Sequence, residues 1–146
     1  MERVTIRPLQ ASDAGAIERI TRLSPEAAHW TSQGYQGLPG WVAENDGEVV
    51  GFLFARIAAD EMEILNLAVE PAAREHGVGG ALLAAALAYG AKAAVTSVFL
   101  EVRESNRRAR QFYERRGFAV TGRRPRYYHR PEEDALVMAH AQAVAP

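Results

Sequence analysis

The 146-residue chain has no cysteine, one lysine and no long hydrophobic run. Without cysteine there is no disulfide, no thiolate metal site and no cysteine nucleophile. The longest apolar-rich stretch, residues 78–91, is too short and too rich in alanine to cross a bilayer. Residues 1–7 alternate like a strand and lack the apolar centre of a signal peptide, so a cytoplasmic location is expected. The four histidines, His29, His76, His129 and His140, lack metal-ligand spacing, and no carboxylate repeat resembles a calcium loop, so no metal is expected. A formal net charge of −1 gives no overall attraction to nucleic acid or to an anionic membrane. This length suits one domain, residues 1–146, large enough to bury a core and still shape a cleft.

What charge there is lies unevenly. Of the 17 basic residues, 10 are arginines between Arg103 and Arg130. Such a run reads either as solvated surface or as attraction for phosphates or an acidic docking surface.

Apolar periodicity orders the elements. Residues 4–7 alternate as a first strand, and Ser12-Asp13 offers an N-cap to a helix with Ile17, Ile20 and Leu23 on one face. Ser24-Pro25-Glu26 restarts a helix, and residues 34–40 read as loop. The runs 41–44 and 49–57 flank Asn45-Asp46-Gly47, a hairpin signal because Asp-Gly tolerates positive φ. A strand at 62–69 follows a turn near Ala59-Asp60. Further on, Leu82, Leu83, Ala86 and Leu87 recur at helical spacing and residues 98–102 form a strand. Ser105 can cap a helix whose Ala109, Phe112 and Tyr113 share a face. Gly117 stops that helix, residues 118–121 form a strand, and a last strand covers 135–139 after a polar loop. The order β-α-α-β-β-β-α-β-α-β-β describes an α/β (α+β) domain, a mixed sheet with helices on both faces.

The most informative stretch is residues 67–83, an apolar strand that enters a glycine-loosened turn and then a helix. The helix N-terminus leaves its first amides unpaired and carries partial positive charge, which makes a cradle for a pyrophosphate. Gly77 and Gly79 would let such a ligand approach the backbone closely. A P-loop needs Lys and then Ser or Thr after its last glycine, but Gly79 and Gly80 lead into Ala81 and Leu82. A dinucleotide fingerprint begun at Gly77 needs a third glycine at position 82, where Leu82 stands.

The Arg-x-x-Gly-x-Gly spacing from Arg74 to Gly79 resembles the acetyl-coenzyme A loop of the Gcn5-related N-acetyltransferases (GNATs). Leu100-Glu101-Val102-Arg103-Glu104-Ser105-Asn106 with Phe112-Tyr113-Glu114-Arg115-Arg116-Gly117-Phe118 resembles that family's RimI-type branch, which acetylates the N-terminal alanine of a small-subunit ribosomal protein. The segments 123–128 and 133–138 are also similar to that branch. Trp30-Thr31 sits where the branch carries Pro-Trp-Ser, with His29 in place of the proline. The resemblance implies a GNAT fold: about seven mostly antiparallel strands, splayed centrally to bind acetyl-coenzyme A.

It also implies site roles. The backbone of Leu67, Ala68 and Val69 would pair with the pantetheine arm and the acetyl carbonyl. Arg74, Glu75, His76, Gly77, Val78, Gly79 and Gly80 would hold the pyrophosphate, and Asn106 would anchor the coenzyme. Glu101 would be the general base, on the strand face opposite Val98, Leu100 and Val102, and Tyr113 the general acid that protonates the departing thiolate. Trp30, Tyr35, Tyr127 and Tyr128 could line an acceptor groove or form a satellite apolar cluster. A free α-amine has a pKa about 2.5 units below that of lysine, so lysine would cost roughly 3.4 kcal/mol more to deprotonate. The expected partners are acetyl-coenzyme A and the N-terminal segment of a protein, for which the branch suggests a ribosomal one. Two alternatives stay open: a GNAT acting on a small amine, amino acid or drug, and a non-catalytic acetyl-coenzyme A sensor.

Overall fold

The computed structural model describes residues 4–24 and 35–141. The strands are β1 (Val4–Pro8), β2 (Gly40–Asn45), β3 (Glu48–Ala58), β4 (Glu61–Val69), β5 (Ser97–Arg103), β6 (Ala119–Tyr128) and β7 (Glu133–Ala141). The helices are α1 (Ala14–Arg22), α2 (Val78–Lys92) and α3 (Arg107–Glu114), with short 3-10 turns at Ala11–Asp13 and Pro71–Ala73. The seven strands form one sheet in the order β1-β2-β3-β4-β5-β7-β6. The pair β4 and β5 is parallel, and the ladders β1–β2, β2–β3, β5–β7 and β6–β7 are antiparallel. Beyond Ser24, the helix expected to restart at Ser24-Pro25-Glu26 falls, with His29 and Trp30, outside the described residues.

The contacts gather the chain into two compact units: Met1–Arg56 with Leu65–Gly90, and Ile57–Ile64 with Ala91–Pro146. In the first, Asp46 and Gly47 both take positive φ, 53° and 82°, so the β2–β3 turn has the handedness that matches strand twist. Its core joins Ile17 and Ile20 of α1 to Val42, Val49, Phe52, Phe54 and Ala68. Leu23, expected on that face, is instead 49% exposed, because α1 ends at Arg22 and Leu23 is only its C-cap. Asp13, expected as N-cap, makes no side-chain bond to α1. Its carboxylate takes two hydrogen bonds from Arg7, at 2.8 and 2.9 Å, and one from the Gln10 N–H. The Arg7 guanidinium foremost holds the Asp13 carboxyl below its usual range.

In the second unit the β4–β5 ladder runs from Glu61↔Ser97 to Ile64↔Leu100, and β7 lies between β5 and β6. Val98, Leu100, Val102, Leu136, Met138 and Phe118 are buried there. Strand β6 extends to Tyr128, well beyond the expected end at residue 121. Register shifts after Val120 and after Arg124 absorb the extra residues, and Pro125 fits because β6 is an edge strand.

Candidate active site

The turn from β4 into α2 is shaped by local backbone geometry. Proline opens the 3-10 turn, and Glu75 and Gly77 then adopt φ of 67° and 81°. The Ala81 N–H donates to the Gly77 carbonyl at 3.0 Å, which makes Gly77 the cap and leaves Val78, Gly79 and Gly80 as the helix's first donors without intrahelical acceptors. No acidic residue stands in this first turn. A Cβ added at Gly77 would meet nothing within 4 Å, so the space before the helix is open to a ligand. Free donors, a positive dipole end and open space fit the pyrophosphate of a coenzyme.

Arg74 does not enter this cradle as a free cation. Its Nε donates to the Val69 carbonyl at 3.0 Å and its Nη2 to Ser24 Oγ at 3.2 Å, so the side chain braces the turn against the strand it leaves. At the same level, the Glu70 N–H donates to the Val50 carbonyl at 2.9 Å, and Arg19 joins Glu70 at 2.7 Å. Gly51, which sequence reasoning missed, is also part of this support. A Cβ there would lie 3.1 Å from the Ala68 carbonyl oxygen and within 3.3 Å of Leu82 and Val78 side chains, so any larger residue would press β4 and α2 outward by a few tenths of an ångström. An isolated glycine inside a strand pattern was the available signal.

Tyr35 also belongs to the first unit, stacked on Phe54 with ring centroids 4.4 Å apart. Burial raises its pKa, and a hydrogen bond with Asn66 opposes that rise.

The second unit gathers Glu101, Tyr127 and Tyr128. Alternation along β5 buries Val98, Leu100 and Val102 and places Glu101 on the other face, with its side chain 12% exposed. Arg124 reaches across β7 from β6 and donates to Glu101 Oε2 at 2.7 Å. Its guanidinium lies 4.2 Å from the Tyr127 ring centroid, and Tyr127 meets Tyr128 edge-on at 5.1 Å. Arg103 covers Tyr128 at 4.5 Å and also donates to Glu133 and to the carbonyls of Pro131 and His129. Two arginines thus hold two tyrosines by cation–π contact. Burial first and the Glu101 charge second push the Tyr128 hydroxyl up to about 12, and both also raise Tyr127, which is hydrogen-bonded to Glu101.

The rest of the hairpin is tied by charge. Arg123 bridges Glu104 and Asp134 at 2.6 and 2.9 Å. The Arg126 N–H foremost, with Arg123, holds the Asp134 carboxyl below its usual range.

Asn106, not Ser105, caps α3: its Oδ1 accepts from the Ala109 N–H at 3.1 Å. Ser105 gives both its backbone N–H and its hydroxyl to Glu133, so its side chain is engaged away from α3. One helical span on, Tyr113 is 7% exposed and meets Phe112 and Phe118 edge-on at 5.0 and 5.3 Å. Burial raises its pKa far above the ordinary tyrosine value, so the hydroxyl stays protonated and can act as a donor.

The profile of the acetyltransferase (GNAT) family matches residues 8–118. The [ribosomal protein bS18]-alanine N-acetyltransferase of Escherichia coli K12 is 33% identical over 142 residues, covering 92% of this chain and 95% of that protein. An uncharacterised N-acetyltransferase of Methanocaldococcus jannaschii is 36% identical over 139 residues, 91% of this chain and 88% of its own. Among solved structures, the ribosomal-protein-S18-alanine N-acetyltransferase from Escherichia coli superposes with a TM-score of 0.85 at 28% identity, covering 99% of this chain and 97% of that one. Ard1 from Thermoplasma volcanium gives a TM-score of 0.86 at 30% identity, over 96% and 98% of the two chains. With this match running through the glycine turn, Glu101 and Tyr113, the chain belongs to the acetyltransferase (GNAT) family.

Proposed function

We propose that this acetyltransferase moves the acetyl group of acetyl-coenzyme A to the N-terminal α-amine of a protein, foremost an N-terminal alanine of a ribosomal protein. The observation that carries this reading is the grouping of the Glu101 carboxylate with Tyr127 and Tyr128 on one face of the second unit. A carboxylate beside two aromatic rings suits a terminal amine followed by a short peptide. The identity with a bS18-alanine N-acetyltransferase along nearly the whole chain supports the same acceptor.

In this reading the turn from Glu75 to Gly80 receives the pyrophosphate through the α2 N–H groups, and Arg74 keeps that turn in place through Val69 and Ser24. The backbone of Leu67, Ala68 and Val69 pairs with the extended pantetheine arm, as an added strand would. Asn106, already the α3 cap through its Oδ1, contributes its amide nitrogen to the coenzyme.

The amine itself attacks the thioester, so no covalent nucleophile is needed. Glu101 removes a proton from the amine, directly or through water. Tyr113 donates to the departing thiolate, whose ordinary pKa near 8.5 already makes it a fair leaving group, so a reluctant, late donor suffices.

Mass spectrometry of acetyl transfer to a panel of N-terminal peptides, an internal-lysine peptide and small amines tests the reading. An alanine-first peptide should lead the panel, and Tyr128→Ala should raise its KM while leaving that of the coenzyme nearly unchanged. A panel led by spermidine or free amino acids would overturn the proposal in favour of a small-amine acceptor.

A further inference from the structure

Two arginines stand on the Glu101 face of the second unit, and they are held very differently. Arg103 is 23% exposed in its side chain and spends its guanidinium on Glu133 and on the carbonyls of Pro131 and His129. Arg124 is 55% exposed, and among the described residues its guanidinium donates to Glu101 Oε2. It also lies over the Tyr127 ring and feels the charge of Glu63. With more than half of its side chain exposed, Arg124 can swing into solvent by giving up its bond to Glu101. Arg103 cannot leave without abandoning three acceptors.

An acceptor amine arrives mostly as an ammonium near neutral pH, because the ordinary α-amino pKa is about 7.7–8.0. Glu101 is the carboxylate such a cation would seek, and a cation already sits on it. We infer that Arg124 is a built-in competitor for the acceptor's ammonium: its guanidinium fills the cation position on Glu101 and must yield before an acceptor amine can dock. The inference rests on the reading of Glu101 as the acceptor-side base. It makes Arg124 a specificity-determining residue, since an acceptor must offset the lost ion pair with contacts along Tyr127 and Tyr128, which a bare small amine lacks. An ion pair this exposed is worth about two- to fivefold in an equilibrium, enough to tune acceptor binding without blocking it.

The test is direct binding of two peptides to the full-length protein loaded with coenzyme A, one beginning with a free alanine and the other identical but N-acetylated. Calorimetry should show that Arg124→Gln binds the free-amine peptide about two- to fivefold more tightly than the parent does. Its affinity for the acetylated peptide, which carries no cation, should stay unchanged. Arg124→Lys keeps the charge and should restore parental binding of the free peptide. Equal tightening for both peptides, or none for the free amine, would overturn the inference. Glu101→Gln separates the two readings: if it leaves turnover intact, Glu101 is not the base and the proposed function fails. If it abolishes turnover while Arg124→Gln fails to tighten the free-amine peptide, only the competitor role is lost.

Discussion

In the proposed site, the turn between β4 and α2 would offer a ligand the backbone N–H groups of Val78, Gly79 and Gly80, braced by Arg74. On β5 and β6 the offered groups are side chains, Glu101, Tyr127 and Tyr128, held by Arg124 and Arg103. The first arrangement asks only that the chain bend in a particular way, and small residues satisfy it. The second asks for particular functional groups brought from different strands. A coenzyme common to a whole family can be bound by backbone, whereas the choice of acceptor needs side chains that differ between members.

That contrast predicts which changes damage chemistry and which damage binding. The largest effect should come from Glu101→Gln, which keeps size but cannot accept a proton: kcat should fall about 10²-fold or more with coenzyme affinity unchanged by calorimetry. Parental turnover in this variant would remove the side-chain half of the comparison. Next, Gly79→Val places a branched side chain in the first turn of α2 and should weaken coenzyme binding about tenfold or more. Peptide binding should change little. A folded Gly79→Val protein that binds acetyl-coenzyme A like the parent would mean the turn is not the cradle. The smallest effect should come from Arg74→Gln, which loses the bonds to Val69 and Ser24 and should lower stability by about 1 kcal/mol in a denaturant titration. The coenzyme KM should rise several-fold with kcat nearly intact. A fall in kcat with an unchanged KM would show Arg74 acting on the chemistry and not on the turn.

Much of the fold was legible in the sequence because its signals are local. The Asp46-Gly47 hairpin, the alternation of β5 and the glycine at 117, with φ of 92°, each depend on residues within a few positions. Misreadings arose where a distant partner intervened or where an element ended earlier than its pattern. Ser105 looked like the cap of α3, but Glu133, 28 positions away, takes its hydroxyl as well as its N–H, and Asn106 caps instead. Leu23 fits the apolar stripe of α1 by spacing, yet the helix ends one residue earlier and leaves it exposed.

By itself the sequence determined the order and kind of the described strands and α-helices and the glycine turn that opens α2, because a 3.6-residue or two-residue period and a positive φ are properties of neighbouring residues. The tertiary structure alone decided that Arg74 braces the turn and that Arg124 sits on Glu101. Arg74 meets a serine 50 positions away, and the Glu101–Arg124 pair spans 23 positions across an intervening strand. The Glu101–Arg124 pairing depends on strand register, and two irregularities in the β6–β7 ladder shift it by amounts that no local pattern of residues encodes.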